Sequence, residues 1–360
     1  MNIIIFGGAF DPVHNGHINM AINAQKDLLG EVFFVPAPIS IWKKESVSKI
    51  DKINMLELAI KPYEHFHIDL FELNSGKDIN YSIDTVKYFK KKYPKDKLYF
   101  LIGSDQVERF HLWKEADMLS KLANIVYFER PDVIMTTENI VKYNIKAIKG
   151  PGVVVSSSEI RNLKNLNIPD EVLYYILDNK LYFVDKMKQY IDENRLNHSI
   201  SVAKTAYEIA LANKVDNPHK YFIAGLLHDI GKTNNIEKES EIVKKHFPEY
   251  KDMPSFSFHQ FVGAYLAENG FDIHDENILR AIKFHATGNA NMDLLGKIVY
   301  AADKIEPTRP FDSSDLIDAM KQDAETGFIT VLKANKEFLE NHRGDINNPL
   351  TSNCFKFYLG

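Results

Sequence analysis

Short apolar runs alternate with amphipathic stretches through the first half of the chain. Ile3–Phe6, Val32–Val35, His67–Leu70, Leu98–Ile102 and Ile125–Phe128 are rich in β-branched and aromatic residues, and each leads into a helical pattern or a Gly- or Pro-bearing turn. That alternation predicts an α/β domain with a Rossmann-like parallel sheet and ligands at the carboxyl ends of its strands. From about Val184 the period changes. Lys186–Ile191, Ser199–Ala212, Tyr221–Leu227, Phe261–Glu268, Ile278–Phe284, Leu295–Ala302 and Ala319–Leu339 read as helices without convincing strands between them. The expectation is two domains, α/β over residues 1–183 and all-α over 184–360.

Composition narrows the classes of function. The 360 residues are 45% hydrophobic and 26% charged, enough for two separate cores. No apolar run approaches the ~18 residues of a membrane span, and Met1 and Asn2 lead straight into Ile3 without a basic leader. The reading is a cytoplasmic protein with no membrane partner. A net charge of -5 argues against broad nucleic-acid binding, so phosphate recognition should be local. The lone Cys354 leaves histidine and carboxylate side chains to hold any metal. Oligomeric state is open at this level.

Two stretches carry chemistry. In MNIIIFGGAFDPVHNGH, Gly7 and Gly8 follow an apolar strand and let backbone amides approach a phosphate. Asp11 and Pro12 come next, and His14 and His17 then bracket the predicted start of a helix, where an imidazole would meet an anion at the positive end. In the second half, GLLHDIGK sets His228 beside Asp229, a pair that can face a divalent cation together. Eight of the thirteen histidines lie beyond residue 185, and Asp303 interrupts an otherwise apolar helix, where an unpartnered carboxylate is costly.

GGAFDPVHNGH resembles the HxGH signature of the nucleotidyltransferase superfamily, and further segments over residues 1–183 resemble its bacterial nicotinate-mononucleotide adenylyltransferases. PAPISIWKK resembles a segment ending in a phosphate-binding lysine, here Lys43; NYSIDTV a substrate loop, with Tyr81 and Thr85; LIGSDQ a strand end, with Gly103 and Asp105. Trp113 matches an aromatic that stacks on the pyridine ring, with core packing as its plain alternative. VSSSEIR resembles a second nucleotide motif, placing Ser157, Ser158 and Arg161 near ATP; a surface arginine opening a helix is the alternative for Arg161. Ala9 and Trp42 depart from the family, which commonly has Thr or Ser and His there. The resemblance implies that the 5'-phosphate of nicotinate mononucleotide attacks the α-phosphorus of ATP, which carries Mg2+, while His14, His17, Lys43 and Arg161 steady the phosphoryl oxygens.

His198, His228, Asp229, His259, His285 and Asp303 fall in the order H...HD...H...H...D of the HD phosphohydrolases. RLNHSISVA, AGLLHDIGK, FHATGNANM and YAADKIEPTRPF resemble the YqeK-type group, which splits diadenosine tetraphosphate into two ADP. That resemblance implies a binuclear transition-metal site, of iron or else manganese, zinc, cobalt or nickel, with Asp229 shared between the ions and Lys232, Lys304 and Arg309 on the phosphate oxygens. The rivals are nicotinamide mononucleotide or another acceptor for the first domain, and a non-catalytic, metal-bound nucleotide sensor for the second.

Overall fold

Ile3, Ile4 and Ile5 are all fully buried, so both faces of the first strand are covered, as the continuous apolar run requires of a central parallel strand. The computed structural model describes residues 1–38, 47–77, 79–128, 137–233, 235–342 and 348–360. It divides into two compact units, Met1–Tyr182 and Phe183–Gly360.

The first unit holds a sheet of β1 (Asn2–Gly8), β2 (Glu31–Pro36), β3 (Phe66–Ile68), β4 (Lys97–Gly103), β5 (Asn124–Phe128) and β6 (Lys146–Ile148), in the order β3-β2-β1-β4-β5-β6. Every pairing is parallel. The chain therefore winds outward in one direction through β2 and β3 and in the other through β4 to β6. The loops leaving β1 and β4 diverge at that reversal, which opens a crevice beyond their carboxyl ends. β6 was not anticipated, because only Ile148 of its three residues is buried and no apolar run marks it. β3 stops before the expected Asp69, whose carboxylate accepts the Phe71 amide at 3.0 Å and turns the chain into a short helix.

The second unit is helical among the described residues. Its longer helices are Glu193–Ala212, Pro218–Leu227, Ile236–His246, Phe258–Phe271, Glu276–Phe284, Leu294–Ile305, Ala324–Asn341 and Pro349–Leu359. The continuous helix expected over Ala319–Leu339 is broken at Asp323, which caps the second piece by accepting the Thr326 amide at 2.8 Å. Ile236–His246 escaped prediction because it is polar nearly all round, burying only Glu239 and Val243. Gly231 fixes how the loop after Asp229 meets its neighbour. A Cβ there would lie 2.1 Å from the His259 carbonyl, so only glycine lets that loop rest on the Phe258–Phe271 helix. No helix among the described residues is long and apolar enough to cross a membrane.

Candidate active sites

The loop after β1 delivers both front histidines to one helix end. His14 is the N-cap of the Asn15–Leu28 helix, where amides have no intrahelical acceptor. Its Nδ1 accepts the His17 amide, and His17 Nδ1 accepts the His14 amide, each at 3.3 Å. A neutral imidazole whose Nδ1 accepts must carry its proton on Nε2, so each ring keeps an N–H donor on its far side. The rings stack with centroids 3.6 Å apart. Gly16 makes that possible: a Cβ there would meet both His14 Nδ1 and Val155 Cγ1 at 3.0 Å.

Several other expected residues serve the loop itself. The Asp11 carboxylate accepts the Tyr182 hydroxyl at 2.8 Å, and the Asp11 carbonyl accepts the Arg161 guanidinium at 2.5 Å. Burial, with the Asp11 charge beside it, pushes the Tyr182 phenol far above its usual value and keeps it a donor. Ser157 donates to the Pro12 carbonyl at 2.9 Å, which ties the second nucleotide motif to the first, while Ser158 is exposed. Gly7 and Gly8 are the last two residues of β1, paired with Val35 and Pro36, rather than a turn following it.

The expected substrate loop is only partly one. Thr85 is fully buried in the Ser82–Lys92 helix and donates its hydroxyl to Glu72 Oε1 at 2.6 Å, so that hydroxyl is used inside the fold. Tyr81 precedes that helix and is exposed, with the Lys114 ammonium 4.2 Å from its ring centroid. Trp113 is half-buried, edge-on to Phe100 and tilted against Phe110. Gly103 ends β4, and the exposed Asp105 accepts from Gln106 at 2.6 Å. Lys43 and Trp42 lie outside the described residues.

In the second unit, six residues from five helices and their ends converge. His198 comes from the Glu193–Ala212 helix, His228 and Asp229 from the end of Pro218–Leu227, and His259 from the start of Phe258–Phe271. His285 caps Glu276–Phe284, and Asp303 lies in the last turn of Leu294–Ile305. His228 donates Nδ1–H to the Gly225 carbonyl at 2.6 Å, His259 to Phe256 at 2.7 Å and His285 to Ile282 at 2.8 Å. A carbonyl can only accept, so Nδ1 carries a proton in all three rings and Nε2 is the nitrogen left to meet a cation. His198 directs Nδ1 to the Glu306 carboxylate at 3.0 Å, with the same effect.

Those Nε2 atoms face one another and the two aspartates. His198 and His228 are 3.3 Å apart at Nε2, as are His259 and His285. His198 Nε2 lies 3.1 Å from Asp303 Oδ1, and His285 Nε2 lies 3.2 Å from Asp229 Oδ1. Acceptors at such distances repel unless a proton or a cation sits among them, and the buried site admits little water to screen them. The donors fall into overlapping sets, His198 with His228 and Asp229, His228 with His285 and Asp303, and Asp229 with His259 and His285. Imidazole nitrogen with carboxylate oxygen is a donor set that suits divalent transition metals.

Known proteins give the arrangement a context. The cytidylyltransferase-like family matches residues 5–163, and the HD domain family matches residues 195–308. A Mycoplasma genitalium protein named "Probable nicotinate-nucleotide adenylyltransferase/Ap4A hydrolase" is 34% identical over 346 residues, spanning 92% of this chain and 97% of its own length. Its Mycoplasma pneumoniae namesake is 30% identical over 344 residues, spanning 92% and 98%. The chain belongs to the nicotinate-nucleotide adenylyltransferase/Ap4A hydrolase family. Its first half alone is also 36% identical over 201 residues to a Clostridium botulinum "Probable nicotinate-nucleotide adenylyltransferase", covering 51% of this chain and 99% of that one. As a member of the family, the protein is an enzyme that joins a nucleotidyltransferase-like unit to an HD hydrolase unit.

Charge around this family member's metal-ligand cluster follows from burial. Burial disfavours the imidazolium form of His228, yet Asp229 and Asp303 outweigh it and raise the ring to about 9. Burial, then the neighbouring His285, lowers His259 to about 3, and burial lowers His285 as well. Burial works against ionisation of both aspartates, but the surrounding cations and imidazoles hold them well below the usual carboxylate range.

Each aspartate also takes one lysine and one arginine. Asp229 accepts Lys232 at 3.0 Å and Arg195 at 2.7 Å; Asp303 accepts Lys304 at 2.7 Å and Arg309 at 2.8 Å. Arg195 and Glu306 were missed in the sequence. The signal for Arg195 was its position one helical turn before His198, which puts both on one face.

Proposed function

We propose that the first unit transfers the adenylyl group of ATP to nicotinate mononucleotide, forming deamido-NAD and releasing pyrophosphate. The second unit, in this reading, cleaves diadenosine tetraphosphate symmetrically into two ADP. Support comes from the names of the two-domain relatives and from the polarity of the two histidine groups. The observation that carries it is that polarity: Nε2–H donors at a helix N-terminus suit an anion, and converging Nε2 atoms of rings protonated at Nδ1 suit cations.

In adenylyl transfer, a phosphate oxygen of the mononucleotide bonds to the α-phosphorus as the bond to the bridging oxygen breaks, and pyrophosphate leaves with that oxygen. His14 and His17 donate Nε2–H to the phosphoryl oxygens, at the positive end of the Asn15–Leu28 helix. Asp11, Ser157, Arg161 and Tyr182 hold the loop that presents them. Lys43 and ATP-bound Mg2+ are proposed to share the remaining charge.

In the hydrolase, His198, His228, Asp229, His259, His285 and Asp303 would hold two divalent ions, iron being the first choice and manganese, zinc, cobalt and nickel the others. Such a pair acidifies water and neutralises phosphoryl oxygens. Arg195, Lys232, Lys304 and Arg309 are 34%, 34%, 21% and 32% exposed, so their heads border the cluster within reach of a polyphosphate chain. Water adds to one of the central phosphorus atoms, and the bridging oxygen leaves with the other ADP.

The test supplies metal-loaded enzyme with diadenosine tetraphosphate and resolves the products, beside an adenylyl-transfer assay offering both pyridine mononucleotides. ADP alone is expected from the first assay, and preference for the nicotinate form from the second. ATP with AMP would refute the symmetrical cut, and no hydrolysis with any of the five metals would favour the sensor reading.

A further inference from the structure

Three of the four clustered histidines lean on neutral backbone, and one does not. His228, His259 and His285 each donate Nδ1–H to the carbonyl three residues earlier, at helix ends and turns where the regular helical ladder stops. His198 lies inside the Glu193–Ala212 helix, whose own ladder occupies the carbonyls behind it. Its Nδ1 must look outside the helix, and it meets Glu306. That carboxylate is 1% exposed and clamped, with Oε2 accepting the Thr308 amide and Oε1 its hydroxyl, both at 2.7 Å. Held this way it cannot swing round to become a ligand. It acts through His198, which it holds at 3.0 Å, and through Arg309, 3.6 Å away and bonded to Asp303.

We infer that Glu306 is a positioning residue that makes the two halves of the metal centre unequal. The half built on His198, His228, Asp229 and Asp303 holds its ion more tightly than the half built on Asp229, His259 and His285. This rests on the reading that the cluster binds two divalent ions. A buried carboxylate accepting Nδ1–H makes the opposite nitrogen of that ring a stronger donor, and removing such a partner weakens metal binding by about 10- to 100-fold. The His259 and His285 rings have amide carbonyls behind them, and Asp229 is the carboxylate grouped with both, while His285 also falls in a set with His228 and Asp303.

The experiment loads the full-length protein with Co2+, titrates in a chelator and counts bound metal, with thermal unfolding as a check on fold. Wild type should release its two ions in separate steps. His259→Ala should abolish the early step and keep the late one. Glu306→Gln should move the late step about 10- to 100-fold toward the early one while leaving the early step in place. A general loss of packing would shift both steps together. Two ions leaving wild type in a single step, loss of the late ion in His259→Ala, or an unchanged gap in Glu306→Gln would each overturn the inference and leave binuclear binding intact. A wild-type chain that binds no Co2+ would overturn both.

Discussion

The two histidine groups use the same side chain with opposite polarity, and helix ends decide which. At the start of the Asn15–Leu28 helix the unpaired backbone groups are N–H donors, so His14 and His17 accept through Nδ1 and carry their protons on Nε2. At the ends of the Pro218–Leu227 and Glu276–Phe284 helices the unpaired groups are carbonyls, so His228 and His285 donate through Nδ1 and turn Nε2 toward the cluster. In the function proposed above, one arrangement receives anions and the other cations. The lesson is that a histidine's role follows from the backbone group on its other nitrogen before any ligand is considered.

The sharpest way to break the comparison is to remove one imidazole from each side. His228→Ala deletes a proposed ligand that is 0% exposed, so hydrolysis of diadenosine tetraphosphate should fall by at least about 100-fold, beyond the usual cost of losing an outer partner. Adenylyl transfer should be unchanged. Comparable loss of both activities would mean that the variant unfolds the chain, and undiminished hydrolysis would remove His228 from the site. His17→Ala is the mirror experiment. Loss of one preorganised donor to a developing oxyanion predicts about a 100- to 1,000-fold drop in adenylyl transfer, with hydrolysis intact.

His14 permits a finer cut, since it both caps a helix and presents a donor. His14→Asn keeps a good N-cap and should hold thermal stability while transfer drops; His14→Ala should lose about 1 kcal/mol of stability besides. Equal turnover in wild type and His14→Asn would make His14 a cap and nothing more.

How much of this could be read from the chain depends on the range of the interaction. β1 and the Glu276–Phe284 helix were legible because local periodicity records one-sided or two-sided burial. The six cluster residues span positions 198 to 303, and spacing alone could not bring them together; resemblance to a family supplied the set. Thr85 shows what a motif leaves out: its hydroxyl is bonded to Glu72, thirteen residues back, through packing that no local pattern reports. Glu306 reads as an ordinary acid at a helix end until His198 is found beside it. Tautomers were beyond reach altogether, since they follow from hydrogen bonds made only in the folded chain.

Acid should separate the groups as well. His259, lowered to about 3 by burial and the nearby His285, stays neutral in the fold where an unfolded histidine, near 6.5, takes up its proton. Between those values the unfolded chain binds more protons. This ring's contribution is therefore complete above 6.5 and lost as pH falls toward 3. His228, raised to about 9, is protonated in both states below 6.5 and adds no slope there. Chelator-treated protein should thus show a falling urea midpoint from pH 6.5 to 4.5, and His259→Ala a shallower fall. Parallel curves would assign the acid sensitivity to other groups.

The smallest effect concerns Cys354, which sharpens the comparison by reporting on the second unit alone. It is fully buried, and burial pushes its thiol up to about 12, so at neutral pH almost none is the reactive thiolate. Native protein should react with a disulfide reagent negligibly over the course of an assay, whereas denatured protein should take up one equivalent, the chain having a single cysteine. In His228→Ala, slow labelling together with lost hydrolysis places the defect at the cluster, because the thiol stays closed off. Labelling as fast as in denaturant would mean that helix packing around Cys354 has opened, and the lost activity would then say nothing about ligands. Rapid labelling of wild type would contradict the burial itself.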